Sequence, residues 1–89
     1  MKRAVTYSAT FVNSARRYVK KHPETAHRID EVVYQLSLEP FQPSLKTHKL
    51  SGFPNCWACS AGYDLRIIFE FQDNGSIFLL SIGTHDEVY

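Results

Sequence analysis

The sequence predicts an α+β fold in the order β-α-α-β-β-β, with two helices packed on one face of a four-stranded, mainly antiparallel sheet. Three observations carry this reading. Apolar residues recur at helical spacing through the first forty positions, and they alternate at strand spacing over the last third of the chain. Between two of those alternating runs stands Asp73-Asn74-Gly75-Ser76, and Asn-Gly in that setting is the strongest short-range sign of a hairpin. Eighty-nine residues, 44% of them apolar, make a single domain over residues 1–89 with one core.

Ala4 to Tyr7 is short and β-prone and adds a strand to the sheet. Ser8 then reads as a helix N-cap, followed by a helix to about Lys21 with Phe11, Ala15, Tyr18, Val19 and His22 on one stripe. Pro23 and Glu24 open a second helix, since proline fits a first turn. Ala26, Ile29, Val32, Val33 and Leu36 give that helix its apolar face, and Pro40 and Pro43 end it. Leu45 to Gly52 is expected as a partly extended loop. Trp57 to Ala61 reads as a strand, and Gly62 or Tyr63 bends the chain into the final hairpin.

A two-residue type I′ turn at Asn74-Gly75 sets a register for that hairpin. Phe71 faces Phe78, Phe69 faces Leu80, Ile67 faces Ile82 and Leu65 faces Thr84 on the core side. Gln72 with Ile77, Glu70 with Leu79, Ile68 with Ser81, Arg66 with Gly83 and Asp64 with His85 occupy the other side. Cross-strand partners share a face, so an acid, a guanidinium and an imidazole meet at the open end. Glycine inside a strand often marks a bulge, and Gly83 is the place where the count is vulnerable.

Net charge is only +1, but its distribution is uneven. Residues 1–23 hold Lys2, Arg3, Arg16, Arg17, Lys20 and Lys21 and no acid, whereas residues 50–89 set Arg66 alone against Asp64, Glu70, Asp73, Asp86 and Glu87. A basic half suits an anionic surface such as nucleic acid. A solvated face whose cations complement the helix C-terminus accounts for such a run as well. No apolar run approaches the roughly 18 residues of a membrane span, and the start lacks a signal-peptide core. The expectation is a cytoplasmic protein without membrane attachment. Cys56 and Cys59 have CxxC spacing, but positions i and i+3 of a strand point to opposite faces. They are read as small apolar fillers, with no cofactor or metal implied.

His48 and His85, the histidines outside the helices, sit among polar or basic neighbours, and histidine is the natural acid or base near neutral pH. Arg66 on a strand needs a partner. Asp64 or Glu70 supplies a structural one, and a phosphate would be a functional one. Together with Asp64 and Lys49 these residues form a candidate site. Tyr89, at the end of the chain, is either a frayed tip or a ring for stacking on a base. Trp57 is read as core.

Three segments, "HKLSG" at His48–Gly52, "GYDLRIIFEF" at Gly62–Phe71 and "IGTHDEVY" at Ile82–Tyr89, resemble the RelE/ParE superfamily of bacterial toxin–antitoxin toxins, most closely its YafQ-like branch. With the preceding helices the resemblance spans nearly the whole chain. It implies a RelE-like microbial RNase fold, cleavage of messenger RNA in the ribosomal A site, and a small antitoxin as partner, the toxin alone being monomeric. By position, His48 and His85 match the family's catalytic histidines, Asp64 its catalytic aspartate, Tyr89 its terminal aromatic, and Arg66 the arginine that holds the scissile phosphate in RelE-type members. Lys46, Lys49, Arg16, Arg17, Lys20 and Lys21 are the candidate RNA contacts. Where the YafQ pattern has a further histidine just before the aspartate, this chain has Tyr63.

The chemistry implied is attack of a ribose 2′-OH on the adjacent phosphate. It needs a base (His48 or Asp64), a cation for the developing charge (Arg66 with Lys49), an acid (His85) and a stacking ring (Tyr89). Two other readings stay open. A ParE-like toxin that binds DNA gyrase, or a non-catalytic toxin-like module, would do without the histidine and aspartate cluster.

Overall fold

A computed structural model of the protein describes residues 2–62 and 64–88. Its strands are β1 (Val5–Tyr7), β2 (His48–Lys49), β3 (Trp57–Ser60), β4 (Leu65–Phe71) and β5 (Ile77–Thr84), and its helices are α1 (Ala9–Lys21), α2 (Thr25–Leu38) and α3 (His85–Val88). The expected α+β class and element order hold. The sheet has five strands where four were expected, in the order β1-β5-β4-β3-β2. The added strand is β2, whose two residues pair antiparallel with Ala58 and Trp57 in a stretch read as a loop. Two residues are too few for periodicity to register.

Ser8 ends β1 and begins α1. Its Oγ accepts from the Phe11 N–H at 2.9 Å as an N-cap does, and donates to the Leu80 carbonyl at 2.7 Å. One side chain therefore anchors the helix start to β5. Lys20 and Lys21 fall in the last turn, where they complement the carbonyl end of the helix dipole. Phe11 from α1 and Ile29, Val32 and Leu36 from α2 pack on Leu65, Ile67, Phe69, Ile77, Leu79 and Ile82, with Cys59 and Leu45 completing the buried cluster. Trp57 packs half-buried against its edge. α1 and α2 thus cover one sheet face, and on the other the short α3 folds over Gly83.

The hairpin corrects the register in one half and keeps it in the other. Gln72 N–H bonds to the Ser76 carbonyl at 2.8 Å and Gly75 N–H to the Gln72 carbonyl at 2.9 Å, so three residues form the loop instead of two. A type I′ turn needs positive φ at both central residues. Here Gly75 has φ +85°, and Asn74 is not among the described residues with positive φ. The Asn74 Oδ1 instead accepts from the Ser76 N–H and hydroxyl. The extra loop residue shifts the ladder by one, to Phe71↔Ile77, Glu70↔Phe78 and Phe69↔Leu79. Because side chains alternate with period two, Ile77 and Leu79 face the core, where Phe78 and Leu80 were expected.

A bulge then reverses the shift. Ile68 pairs with Ser81 and Phe69 with Leu79, leaving Leu80 as the additional residue. From there to the open end the pairs are Ile67↔Ile82, Arg66↔Gly83 and Leu65↔Thr84, as expected. The break lies three residues from Gly83.

The three-residue loop has a stability signature. Gly75→Ala is expected to lower unfolding free energy by about 1 kcal/mol or more, the cost of left-handed backbone for a residue with a Cβ. Asn74→Gly, which would relieve strain in a type I′ turn, is expected to bring no gain. Urea unfolding of both variants measures this.

Candidate functional site

The ladder fixes which side chains share the face away from α1 and α2. Cys59 and Ile67 belong to the core cluster, so their strand neighbours Ala58, Ser60, Arg66 and Ile68 point the other way. His48 pairs with Ala58, Ala58 with Ile68, and Ile68 with Ser81, while Ser60, Arg66 and Gly83 form a parallel row. His48 and Arg66 therefore occupy one face, two strands and two residues apart. Ordinary sheet spacing puts their Cα atoms on the order of 12 Å from each other.

Lys49 pairs with Trp57, and Trp57 with Phe69, which sets its Cβ on the helix side of the sheet. It leaves the edge strand on the opposite face from Arg66.

Asp64 and His85 do not form the expected ladder pair. Leu65↔Thr84 is the last rung, and the chain then turns into α3. Thr84-His85-Asp86-Glu87 is a capping box, in which the Glu87 Oε1 accepts from the Thr84 N–H at 2.8 Å. That bond starts a helical turn and carries His85 away from strand geometry. Asp64 and His85 still flank the end of the β4–β5 ladder, both exposed. Val88 and Glu87 fold back over Gly83, where a Cβ would lie 3.1 Å from the Val88 Cγ1 and the Glu87 Oε1. The T-x-x-E spacing was visible in the sequence and marks this element.

His48 Nδ1 lies 3.1 Å from the Lys46 carbonyl. The bond requires the proton on Nδ1, which makes Nε2 the basic nitrogen. Lys46 has left-handed backbone, φ 52°. Arg66 is half-buried and its Nη1 donates to the Leu65 carbonyl at 3.1 Å. Among the described residues it makes no salt bridge with Asp64 or Glu70, and Glu70 instead accepts from Gln72 at 3.0 Å. His85 Nδ1 stands 3.8 Å from the Asp86 carboxylate. Tyr89 and Tyr63 lie outside the described residues.

The basic residues of α1 divide. Arg17 and Lys21 line a groove of about 820 Å³ with Ser14, Tyr18, the Ser81–Thr84 stretch of β5 and Glu87. Arg16 and Lys20 are exposed elsewhere on the helix. Bonds from the Thr84 backbone and hydroxyl hold the Glu87 carboxyl below the usual range, and the charges of Arg17 and Lys21 add to this.

The cysteines differ in kind. Cys59 is fully buried, and desolvation pushes its thiol up to about 12, against a smaller downward pull from the Arg66 charge. Cys56 is only half-buried. No group of three or more His, Cys, Asp or Glu among the described residues is arranged to hold a metal ion, and no helix there is long and apolar enough to cross a membrane.

No family model and no curated protein matches the sequence. Solved structures match along the whole chain. A copper-bound mutant toxin from Helicobacter pylori superposes with TM-score 0.80 at 21% identity over 100% of both chains. YafQ in the Escherichia coli DinJ–YafQ complex gives 0.80 at 19% identity over 99% of each chain. The YoeB dimer from Staphylococcus aureus gives 0.77 at 15% identity, covering 96% of this chain and 99% of that one. The fold is that of RelE/YafQ-like toxins.

Two outcomes test this description. In the native protein a small alkylating reagent is expected to modify Cys56 first, with Cys59 reacting only on unfolding, because the thiolate is the reactive form and burial suppresses it. Mass spectrometry of the alkylated chain reads the order. Since folding lowers the Glu87 pKa, its contribution is present above the ordinary carboxylate range and is lost as pH falls through the folded value. Amide signals of Thr84 to Val88 are expected to follow that acid titration, and Glu87→Ala to remove the dependence.

Proposed function

We propose that this chain, built on the fold of the YafQ and YoeB toxins, is the toxin of a type II toxin–antitoxin pair and a ribosome-dependent endoribonuclease acting on mRNA. The observation that carries the proposal is the common sheet face of His48 and Arg66, with Asp64 and His85 at the end of the same β4–β5 ladder. A base, an acid and a guanidinium spread along one sheet face, with His48, Asp64 and His85 exposed, suit a polymeric substrate better than a small molecule in a closed cavity.

Cleavage starts with removal of the 2′-OH proton. His48 serves as base, its Nδ1 bond to Lys46 leaving Nε2 as the acceptor, and Asp64 is the other candidate. The 2′-oxygen attacks the adjacent phosphorus, and the Arg66 guanidinium meets the charge that grows on the non-bridging oxygens. Among the described residues its bond is to a backbone carbonyl and not to a carboxylate, so turning to phosphate breaks no ion pair there. His85 protonates the departing 5′-oxygen, leaving a 2′,3′-cyclic phosphate and a free 5′-OH. Tyr89 stacks on a base near the cut. Lys46, Lys49 and the α1 cations Arg16, Arg17, Lys20 and Lys21 hold flanking phosphates and ribosomal RNA.

The partner is an antitoxin, in keeping with the DinJ–YafQ toxin–antitoxin complex of the same toxin fold, and it is a small protein that covers the toxin and blocks its site. Free of it, the toxin is a cytoplasmic monomer.

Single-turnover cleavage of ribosome-bound message tests the assignment. Positioned proton-transfer groups contribute on the order of 10²–10⁴ in rate and donors to developing charge about 10²–10³, so His85→Ala and Arg66→Ala are each expected to slow cleavage by at least ~100-fold at unchanged stability. Wild-type rates in both, with DNA damage in expressing cells, would favour a gyrase-directed toxin instead.

A further inference from the structure

The segment between β2 and β3 holds out an aromatic ring that the fold does not use. Leu50-Ser51-Gly52-Phe53 is closed by the Phe53 N–H on the Leu50 carbonyl at 3.4 Å, with Gly52 at φ +82°, the geometry of a type II turn. Phe53-Pro54-Asn55-Cys56 is a second turn, closed by the Cys56 N–H on the Phe53 carbonyl at 3.0 Å, with proline in its favoured second place. Leu50 N–H on the Cys56 carbonyl at 3.0 Å ties the two together. Both backbone groups of Phe53 are thus bonded within the loop.

Its side chain is nevertheless 61% exposed, more than any other large apolar residue described. Phe41 is exposed too, but its ring meets Trp57 at 5.3 Å and Phe71 at 5.8 Å. Phe53 has no such ring neighbour among the described residues. Leaving most of a phenyl ring in water forgoes the gain of burying it, and a doubly bonded loop keeps it there.

The surroundings indicate what covers the ring. No acidic residue occurs between Glu39 and Asp64, while Lys46, His48 and Lys49 do. The loop directly continues the strand that carries His48 and Lys49. An aromatic beside cations and without acids matches a single-stranded polyanion whose bases offer flat faces, and it matches an acidic or purely apolar protein surface less well.

We propose that Phe53 is a stacking platform for an unpaired nucleobase flanking the cleaved phosphate, with Lys46 contacting a phosphate beside that base. The inference rests on the nuclease reading and extends it to a residue outside the catalytic set. Phe53 contributes binding only and leaves the chemical step alone.

The test is single-turnover cleavage on ribosomes programmed with a defined message, with toxin concentration varied for wild type, Phe53→Ala and Phe53→Tyr. Stacking lost at one base raises the half-saturating concentration of Phe53→Ala about tenfold, leaves the maximal rate within about twofold, and is restored by Phe53→Tyr. Matching thermal melts exclude a folding defect. Wild-type half-saturation in Phe53→Ala overturns the proposal and reassigns the ring to a protein contact, as does a loss that Phe53→Tyr fails to restore. No cleavage by wild type removes the nuclease reading itself, and this inference with it.

Discussion

Alternation of side chains along a strand is the constraint from which the rest of this structure follows. A residue gained on one side of a hairpin sends every later side chain through the sheet to the other face. The Asp73-Asn74-Gly75 loop gains one residue, and the Leu80 bulge gains one more. The two cancel. Between them Ile77 and Leu79 reach the core, and beyond them Arg66 and Gly83 return to the face that carries His48. Without the bulge, Ile67 and Ile82 could not both pack under the helices while the turn kept its geometry. The Ser8 hydroxyl bonds the Leu80 carbonyl, so the start of α1 is fastened at the point where register is corrected.

Much of this was legible in the chain. The helical stripes, the Ser8 cap and the strand alternation each express a period that a dozen residues are enough to reveal. The rows at the open end of the hairpin were read correctly for an incomplete reason, since a two-residue turn without a bulge and a three-residue turn with one give the same pairs from Ile68 onward. What escaped was short. β2 has two residues and α3 four, about one period of either structure and too few for a repeat to show. For α3 a local chemical signal did exist, because Thr84 and Glu87 stand at capping-box spacing. For Lys49 there was none, as its face depends on which residue of β3 it meets.

The buried thiol of Cys59 and the candidate groups His48 and Arg66 lie on opposite faces of the sheet. Beneath the sheet, Cys59 is buried in the apolar cluster and desolvation raises its thiol pKa. Above it, His48 meets the Lys46 carbonyl and Arg66 the Leu65 carbonyl, contacts that orient a side chain without neutralising it. A carboxylate partner would have stabilised the guanidinium more strongly and made it less available to a phosphate.

The margins of the sheet carry a different consequence. β1 has three residues preceded by Lys2 and Arg3, and β2 consists of His48 and Lys49 alone. Long, flat, uncharged rims invite one molecule to zip onto the next, whereas brief cationic rims repel their own copies and offer few bonds to share. Five strands are thereby assembled into a sheet that gives a neighbouring copy almost nowhere to begin fibril growth.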